Sequence, residues 1–426
     1  MVTLSALVIG MALVLAFVTN QWIGAVGAEN NARSREIALH AMVQSTVEPE
    51  RAVLLATEAL RVAYTPQAED ALRSALSNLP LEFVLQGHQA DVPNAVFSPD
   101  GKWVATASLD HTARIWDATT GRSVTTLKGH ADEVFTVAFS PDGKWLITSS
   151  EDGTGRIWDV ATGTSLAVLD GHTANVWWAV FSPNGEFAAT ASLDDTVRIW
   201  ESSTWKLVMT LSGHTSGVDS VAFSPNSQML ITVSPDQTTR VWAENTGKSL
   251  LEIKGRAMYV STASFSPDNR LVVTTGVCRA ADDCEPTAHV WEISSGKKIL
   301  DLRGHTGKVN SAAFSPDGKL IATASDDRTV RIWDARTGES IVQIAGHENS
   351  VRNAVFSPDG LWIVTSSLDY TARVLRVPTK SAQGWSSSEV VAVLRGHHAA
   401  VASAVFSPDG KRVVTASPDF TARIWN

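Results

Sequence analysis

Clustered positive charge is missing from this sequence. Its 35 lysines and arginines are outnumbered by 44 aspartates and glutamates, which gives a formal net charge of −9, and no run of basic residues occurs. A protein that binds bare nucleic acid needs a clustered basic face. The composition therefore predicts that nucleic acid is not a partner.

Sequence signatures of enzymes are also missing. The chain contains no G-x-S-x-G, no H-E-x-x-H, no G-x-x-x-x-G-K-[ST] and no dinucleotide-binding fingerprint. Seven of the 11 histidines occupy one repeated position, and the remaining four (His40, His111, His289 and His398) have no acidic neighbours at the spacing of a ligand cluster. We expect no catalytic residue, no cofactor and no metal.

Cysteine is scarce. The only two cysteines, Cys278 and Cys284, lie in one segment, VCRAADDCEP (277–286), which we interpret as an enlarged hairpin. Their separation across a hairpin tip permits a disulfide, and the alternative is a pair of free thiols. A disulfide would place this part of the protein in an oxidising compartment.

Charge is absent from the first 28 residues. The segment from Leu4 to Val18 is nearly all apolar, and a helix that continues from it through Ile23 would be about 30 Å long, enough to cross a bilayer. We interpret residues 1–28 as a transmembrane anchor in a single-pass membrane protein. The alternative is a cleaved signal segment, because Val26 and Ala28 form a small-residue cleavage site, although no basic residue precedes the apolar run.

The two indications of membrane topology disagree. Arg33 and Arg35 follow the apolar segment and no basic residue precedes it, which favours a cytoplasmic C-terminal part by the positive-inside rule. A disulfide between the two cysteines would favour the exported side. The side of the membrane stays open here, with a slight preference for the exported face.

Residues 29–80 are predicted to form a short helical stalk. Alanine-rich stretches keep apolar residues at steps of three and four, and no strand pattern occurs. Glu48-Pro49 and Thr65-Pro66 place a proline at the first position of a helix, with Thr65 as an N-cap. We expect three short helices.

From residue 81 to residue 426 the sequence is repetitive. A Gly-His pair (once Gly-Arg) is followed by an FSP turn and by a strand that ends in tryptophan (once leucine). The pairs begin, mostly 42 residues apart, at Gly87, Gly129, Gly171, Gly213, Gly255, Gly304, Gly346 and Gly396. A period of this length indicates one supersecondary unit that is copied eight times.

Each repeat reads as four antiparallel strands, which is one blade of a propeller. The GH, FSPDG and D-x-T-x-R-x-W pattern resembles the WD-repeat family, and this resemblance implies a closed, all-β propeller. The last repeat stops after its third strand, at Trp425-Asn426, whereas LEFVLQ (81–86) precedes the first Gly-His as an unused strand. We therefore predict eight blades, the last completed by the N-terminal strand, which leaves no exposed sheet edge.

The repeated polar residues are interpreted as structural. The resemblance implies that each histidine bridges a turn aspartate and a strand hydroxyl (Ser108 or Thr106 in the first repeat) and that the hydroxyl reaches the tryptophan. The fifth repeat, with Arg256, and the seventh, with Leu375, depart from this pattern. The network residues are His88, Asp110, Trp116, His130, Asp152, Trp158, His172, Asp194, Trp200, His214, Asp236, Trp242, His305, Asp327, Trp333, His347, Asp369, His397, Asp419 and Trp425.

A partner-binding surface is predicted at positions that do not repeat. The residue after the valine of GHxxxV differs in every repeat, and Phe135 and Trp177 hold it in adjacent blades; an alternative is that both rings simply pack between blades. Trp178, the next residue along the strand, is expected to point into the core. The predicted partner-binding residues are Leu109, Phe135, Trp177, Leu193, Asp219, Asn310, Arg352 and, in the inserted segment KSAQGWSSSE (380–389), Trp385. For Trp385 the alternative is that its side chain lies flat on the opposite face of the ring.

These observations favour a membrane-anchored, non-catalytic interaction scaffold or sensor head, with a monomeric propeller that binds a peptide or protein on its loop face. The anchor, stalk and repeats together resemble the C-terminal part of bacterial multidomain signalling ATPases with WD-repeat sensors, but without their nucleotide-binding domain. The alternatives are a propeller enzyme, either a hydrolase or a dehydrogenase, and a lectin-like surface module.

Overall fold

The structure, a computed structural model, describes residues 28–44, 49–77, 81–254, 259–277, 287–381 and 384–426. These residues form two compact units, and the boundary between them falls after Val84. Most of the predicted membrane segment, Arg256 and both cysteines of the predicted enlarged hairpin lie outside the described residues. Among the helices of the described part, none is long and apolar enough to span a membrane.

The first unit contains three short helices, Ala28–Gln44, Pro49–Val62 and Pro66–Ser77. As predicted, Pro49 and Pro66 begin helices, and the side chain of Thr65 accepts a hydrogen bond from the backbone N–H of Ala68 at 3.2 Å. The helices pack through alanines, which allow their backbones to approach closely: Ala38, Ala41, Ala56, Ala59, Ala68 and Ala71 are fully buried.

The second unit is an eight-bladed propeller of four-stranded antiparallel sheets, as the repeat pattern predicts. In the order inner, second, third and outer, the strands of blades 1 to 4 are Asn94–Phe97, Trp103–Ala107, Thr112–Asp117 and Ser123–Lys128; Val134–Phe139, Trp145–Ser150, Gly155–Asp159 and Ser165–Leu169; Val176–Phe181, Phe187–Ser192, Thr196–Glu201 and Leu207–Ser212; and Ser220–Phe223, Met229–Val233, Thr238–Ala243 and Ser249–Lys254.

Blades 5 to 7 consist of Tyr259–Phe265, Leu271–Val277, Thr287–Glu292 and Lys298–Arg303; Val309–Phe314, Leu320–Ser325, Val330–Asp334 and Ser340–Ile344; and Val351–Phe356, Trp362–Ser367, Ala372–Arg376 and Val390–Leu394. Blade 7 also carries a two-residue hairpin, Lys380–Ser381 with Gly384–Trp385. Blade 8 combines Ser403–Phe406, Val413–Ser417 and Thr421–Trp425 with an outer strand, Leu81–Gln86, from the start of the repeat region. The predicted closure by the N-terminal strand is therefore confirmed.

The FSP segment forms a tight turn that its own side chains hold. In blade 1 the Ser98 hydroxyl donates to Asp100 Oδ1 at 2.7 Å and accepts from the Trp103 backbone N–H at 2.9 Å. Gly101 has a φ of 70°, in the left-handed region that glycine adopts without strain. These turns lie at one end of the strands, which we call the turn face. The Gly-His loops lie at the other end, which we call the loop face.

Candidate partner-binding surface

Each complete repeat contains a chain of four polar side chains inside the blade. In blade 1, the Trp116 Nε1–H donates to Thr106 Oγ1 at 2.9 Å, and this oxygen lies 2.8 Å from His88 Nε2. The other ring nitrogen of His88, Nδ1, lies 2.8 Å from Asp110 Oδ2. The strand hydroxyl is that of Thr106. Ser108, the alternative left open by the sequence, donates to the Ala90 carbonyl instead, at 3.2 Å.

The same chain of contacts recurs in blades 2, 3, 4, 6 and 8, through Thr148, Thr190, Thr232, Thr323 and Thr415. Blade 7 keeps the histidine, aspartate and threonine contacts but has Leu375 in place of tryptophan. Blade 5 keeps the contact between Trp291 and Thr274, at 2.9 Å. These side chains satisfy one another in the interior of the propeller and present no group to a substrate.

Burial and hydrogen bonding together determine the charge states in this network. Burial lowers the pKa of His130, His172, His214, His305 and His397, and the aspartate partner offsets this only in part. Burial by itself would raise the pKa of Asp236. Hydrogen bonds from Thr238, the Thr215 backbone and His214 outweigh this effect and bring the pKa below its ordinary value of 3.8, to about 2. A neutral histidine with its proton on Nδ1 lets every member of the chain donate and accept correctly.

The glycine of each Gly-His pair lies against the arginine of the same repeat. A Cβ atom on Gly87 would lie 2.9 Å from Arg114 Nη1, because the arginine of D-x-T-x-R-x-W covers this glycine. The Arg114 guanidinium carbon also lies 5.8 Å from the centroid of the Trp116 ring, within range of a cation–π contact. Blade 5 has His289 at the arginine position, and its Nδ1 lies 2.7 Å from Asp301 Oδ1.

Two aromatic residues of blades 2 and 3 stack on the loop face. The rings of Phe135 and Trp177 have centroids 4.3 Å apart and an interplanar angle of 19°. Trp177 is 38% exposed and Phe135 is half-buried beneath it. Both residues sit at β-bulges, where the pairing of the inner strand with its neighbour skips one position. The bulge frees each side chain from the ladder and directs it outward.

The expectation that Trp178 points into the core is wrong. Trp178 is 37% exposed, because the bulge at Trp177 shifts the alternation of the strand by one residue. A comparison among the repeats contains the signal that was missed. The position of Trp178 is a small polar residue in every other repeat: Asn94, Thr136, Ser220, Thr262, Ser311, Asn353 and Ser403. We call Phe135, Trp177 and Trp178 the aromatic patch.

The two leucines predicted for the surface lie on either side of the aromatic patch. Leu109 of blade 1 is half-buried and directly follows Ser108, whose carbonyl accepts from the Val134 backbone N–H at 3.1 Å, next to Phe135. Leu193 of blade 3 is 38% exposed. A Cβ on Gly217 would lie 2.6 Å from Leu193 Cδ2, so this leucine rests on the loop of blade 4.

Asp219 of blade 4 and Arg352 of blade 7 hold the repeat position of Trp177, and both are exposed. Blade 7 lies opposite blade 3 in the ring, so Arg352 does not join the aromatic patch. Asn310, predicted as a partner-binding residue, is buried, at 8% exposed. Its amide donates to the Val351 carbonyl at 2.9 Å and to Asp326 Oδ1 at 2.7 Å, so it joins blades 6 and 7 instead of meeting a partner.

Trp385, for which the sequence left open either partner binding or a position on the opposite face of the ring, lies away from the loop face. It belongs to the connection between the third and outer strands of blade 7, which lies on the turn face. Its half-buried ring packs against the apolar interior of blades 6 and 7, and Lys380 Nζ lies 5.1 Å from the ring centroid. The indole therefore has partners within the chain.

No metal site is evident in the described part of the chain, where no three histidine, cysteine, aspartate or glutamate side chains lie close enough together to hold an ion. Cys278 and Cys284 lie outside the described residues, so their pairing stays a prediction.

Comparison with protein-family models gives one match, to "WD domain, G-beta repeat", at residues 80–117, 121–159, 163–201, 205–243, 296–334, 338–375 and 388–426. Together these segments cover more than half of the chain, and each of the seven ends at or near the position of the repeated tryptophan. The gap from 244 to 295 contains most of blade 5, whose histidine, arginine and aspartate positions depart from the pattern.

Two similar proteins match this chain over very different lengths. A Notchless protein homolog of Arabidopsis thaliana is 54% identical over 41 residues, which is 10% of this chain and 9% of that protein. The match thus spans about one repeat. The crystal structure of the computationally designed Ika8 protein superposes with a TM-score of 0.67 at 26% identity, over 80% of this chain and 98% of the other.

Proposed function

This chain belongs to the WD-repeat family, and on that premise we propose that its propeller is a non-catalytic interaction scaffold whose protein or peptide partner binds the loop face over blades 2 and 3. The observation that carries this proposal is the exposed stack of Phe135 on Trp177. Large aromatic residues are enriched among the side chains that dominate binding at protein interfaces.

The contrast among repeats supports this placement. The position after the valine of GHxxxV recurs in every repeat but holds a different residue each time: Pro93, Phe135, Trp177, Asp219, Ser261, Asn310, Arg352 and Ala402. A side chain that served only the fold would be the same in most blades, as the network threonines and aspartates are. The aromatic residues of blades 2 and 3 have no such repeated role, and exposed apolar clusters of this kind commonly mark interaction sites.

Affinity capture with matched variants tests the proposal. The full chain and a Phe135→Ala/Trp177→Ala variant are used to recover proteins from the cells that express it. The control is Leu250→Ala/Val391→Ala, because both residues are exposed apolar side chains on outer strands. We expect the control to retain the specific partners and the aromatic variant to lose them. Recovery of the same partners by all three chains would show that the partner binds elsewhere.

We propose further that residues 1–28 anchor the scaffold in a membrane, because this segment is uncharged and its stretch from Leu4 to Val18 is nearly all apolar. Alkaline carbonate extraction of native membranes should leave the chain in the pellet; release into the supernatant would contradict an anchor. Labelling of Cys278 and Cys284 with and without reductant tests the exported location, since reactive thiols before reduction would contradict it. The resemblance to signalling ATPases stays a prediction.

A further inference from the structure

Acidic residues lie beside the aromatic patch on the loop face. Glu133 precedes the inner strand of blade 2 by one residue, and its carbonyl accepts from the Glu151 backbone N–H at 2.9 Å. The Glu151 carboxylate accepts from Asn175 Nδ2 at 3.1 Å, two residues before Trp177. These contacts place Glu151 between the two loops that lead into the inner strands of Phe135 and Trp177.

Among the described residues, lysine and arginine side chains do not neutralise the carboxylates of this region. In the described part of the protein, neither Glu133 nor Glu151 forms an ion pair with a lysine or arginine. The ion-pair partner of the nearby Asp132 is His111, whose Nε2 lies 3.9 Å from Asp132 Oδ1. Burial together with the neighbouring carboxylates of Glu151 and Asp132 raises the pKa of Glu133. Mutual repulsion of this kind is relieved when a cation binds.

The positions of Glu133 and Glu151 are not acidic in most repeats. The residue that precedes the valine of GHxxxV is acidic only in blades 1 and 2, as Asp91 and Glu133, and it is Lys308 in blade 6. The position of Glu151 is leucine in blades 1, 3 and 7, proline in blades 4 and 8, and aspartate (Asp326) in blade 6, where its carboxylate accepts from Asn310. Blades 3, 4, 7 and 8 carry no carboxylate at either of the two positions, so the acidic pair of blade 2 is not a general feature of the repeat.

An exposed indole beside carboxylates suits one kind of side chain. A guanidinium or ammonium group is attracted to the face of an aromatic ring, and tryptophan is the strongest acceptor of this type. The planar guanidinium also stacks on rings and forms bidentate hydrogen bonds with carboxylates. An acidic partner would meet uncompensated like charge at the same place.

We infer that the aromatic patch, the docking surface of the proposed function, binds a basic segment of a partner protein. An arginine or lysine of that segment lies against Trp177 and pairs with Glu133 and Glu151, while a neighbouring apolar side chain contacts Trp178 and Leu193. This inference rests on the proposed function, because it names the chemistry of the partner for that same surface.

Selection from a phage-displayed library of random dodecapeptides, with the purified full chain as bait, tests this inference. Enriched peptides should carry arginine or lysine next to an apolar residue. Synthetic versions in which those basic residues are replaced by glutamine should bind at least about tenfold more weakly, as loss of a charge-assisted contact predicts. Affinity of the original peptides should also fall as salt is raised.

Matched variants of the chain separate the two claims. A Glu133→Gln/Glu151→Gln variant should lose about tenfold in affinity, whereas Glu348→Gln, an exposed glutamate on the loop face of blade 7, should lose nothing. Enrichment of acidic or neutral peptides, no enrichment at all, or unchanged binding by Glu133→Gln/Glu151→Gln would overturn the basic partner. If the enriched peptides are acidic or neutral but their binding still requires Trp177, the proposed function survives. If Phe135→Ala/Trp177→Ala binds them normally, the proposed surface itself is wrong.

Discussion

The backbone N–H of Val92, in the first repeat, donates a hydrogen bond to the carbonyl of Ser417, in the last, at 3.2 Å. The same contact joins neighbouring blades inside the ring, for example Val134 to Ser108 at 3.1 Å and Val401 to Ser367 at 3.0 Å. The ends of the repeat region therefore meet through the same backbone contact that joins several other neighbouring blades at this face.

Arg412 adds a closing contact on the turn face. It donates to the carbonyls of Ala118 and Gly101 at 2.6 and 2.8 Å, both in blade 1. Replacement by methionine, Arg412→Met, should lower the free energy of unfolding by about 1–3 kcal/mol, because both carbonyls lose a charged donor. Chemical unfolding followed by tryptophan fluorescence measures this. The exposed neighbour serves as control: Lys411→Met should change little, and equal effects of the two substitutions would argue against a closing role for Arg412.

Replacement of the bridging threonine should destabilise the chain more in a blade where its hydroxyl has two side-chain partners than in a blade where it has one. In blade 6, Thr323 lies 2.7 Å from His305 Nε2 and accepts from Trp333 Nε1 at 2.9 Å. In blade 7, Thr365 serves His347, and Leu375 stands where tryptophan would be. Thr323→Val leaves one more buried group without a partner than Thr365→Val does. We expect it to destabilise the chain by about 1–3 kcal/mol more, measured by urea unfolding.

Equal losses of unfolding free energy in Thr323→Val and Thr365→Val would show that the hydrogen bond from the tryptophan N–H to the threonine hydroxyl contributes little to stability. Valine is the suitable replacement in both because it preserves the shape of threonine and leaves no cavity, so that the comparison isolates the hydrogen bonds.

Stability should fall as the solution is acidified. Burial lowers the pKa of five network histidines below the ordinary value of 6.5, so the unfolded chain binds more protons than the folded chain below that pH. The free energy of unfolding should therefore decrease from pH 6.5 downward. Below 3.8 the aspartates add a second decrease, since the folded pKa of Asp236, for example, is about 2.

Urea unfolding midpoints between pH 7.5 and pH 4.5 measure the histidine part of this dependence. A His172→Gln variant, which removes one of the titrating groups, should show a shallower decrease than the original chain. Midpoints that stay constant or rise toward pH 5 would contradict the buried, neutral state of these histidines.

Trp205 occupies a strained backbone conformation. Its φ is 57°, and the corresponding turn position in five other blades is glycine: Gly121, Gly163, Gly247, Gly296 and Gly338. The indole packs edge-on against Trp145, with ring centroids 5.0 Å apart. Both Trp205→Ala and Trp205→Gly lose this contact, but only glycine relieves the strain. Trp205→Gly should therefore be more stable than Trp205→Ala by about 1 kcal/mol, as thermal unfolding can show; the opposite order would mean that the turn relaxes.

The sequence predicted the architecture because the repeat shows the same pattern eight times, so that local ambiguities cancel. The unused strand at residues 81–86 and the missing strand after Trp425 then determined how the ring closes. Side-chain exposure was harder to predict. Trp178 was misassigned because a bulge breaks the two-residue alternation on which such predictions depend.

Neighbouring blades account for the other differences. Asn310 shares a repeat position with Trp177, but Val351 and Asp326 provide partners that bury it. Trp385 lies at the turn face because its ring packs against the apolar interior of blades 6 and 7. In both cases the decisive residues are distant in sequence or belong to another blade, and a single repeat contains no sign of them.

Site-specific photo-crosslinking tests the central claim most directly, because it reports contact at a chosen residue. A benzoylphenylalanine side chain is placed at Trp177 of the full chain, and at Leu250 on an outer strand as control. If the partner binds the loop face over blades 2 and 3, a discrete protein adduct forms from position 177 and none from position 250. Adducts from position 250 alone would contradict the account.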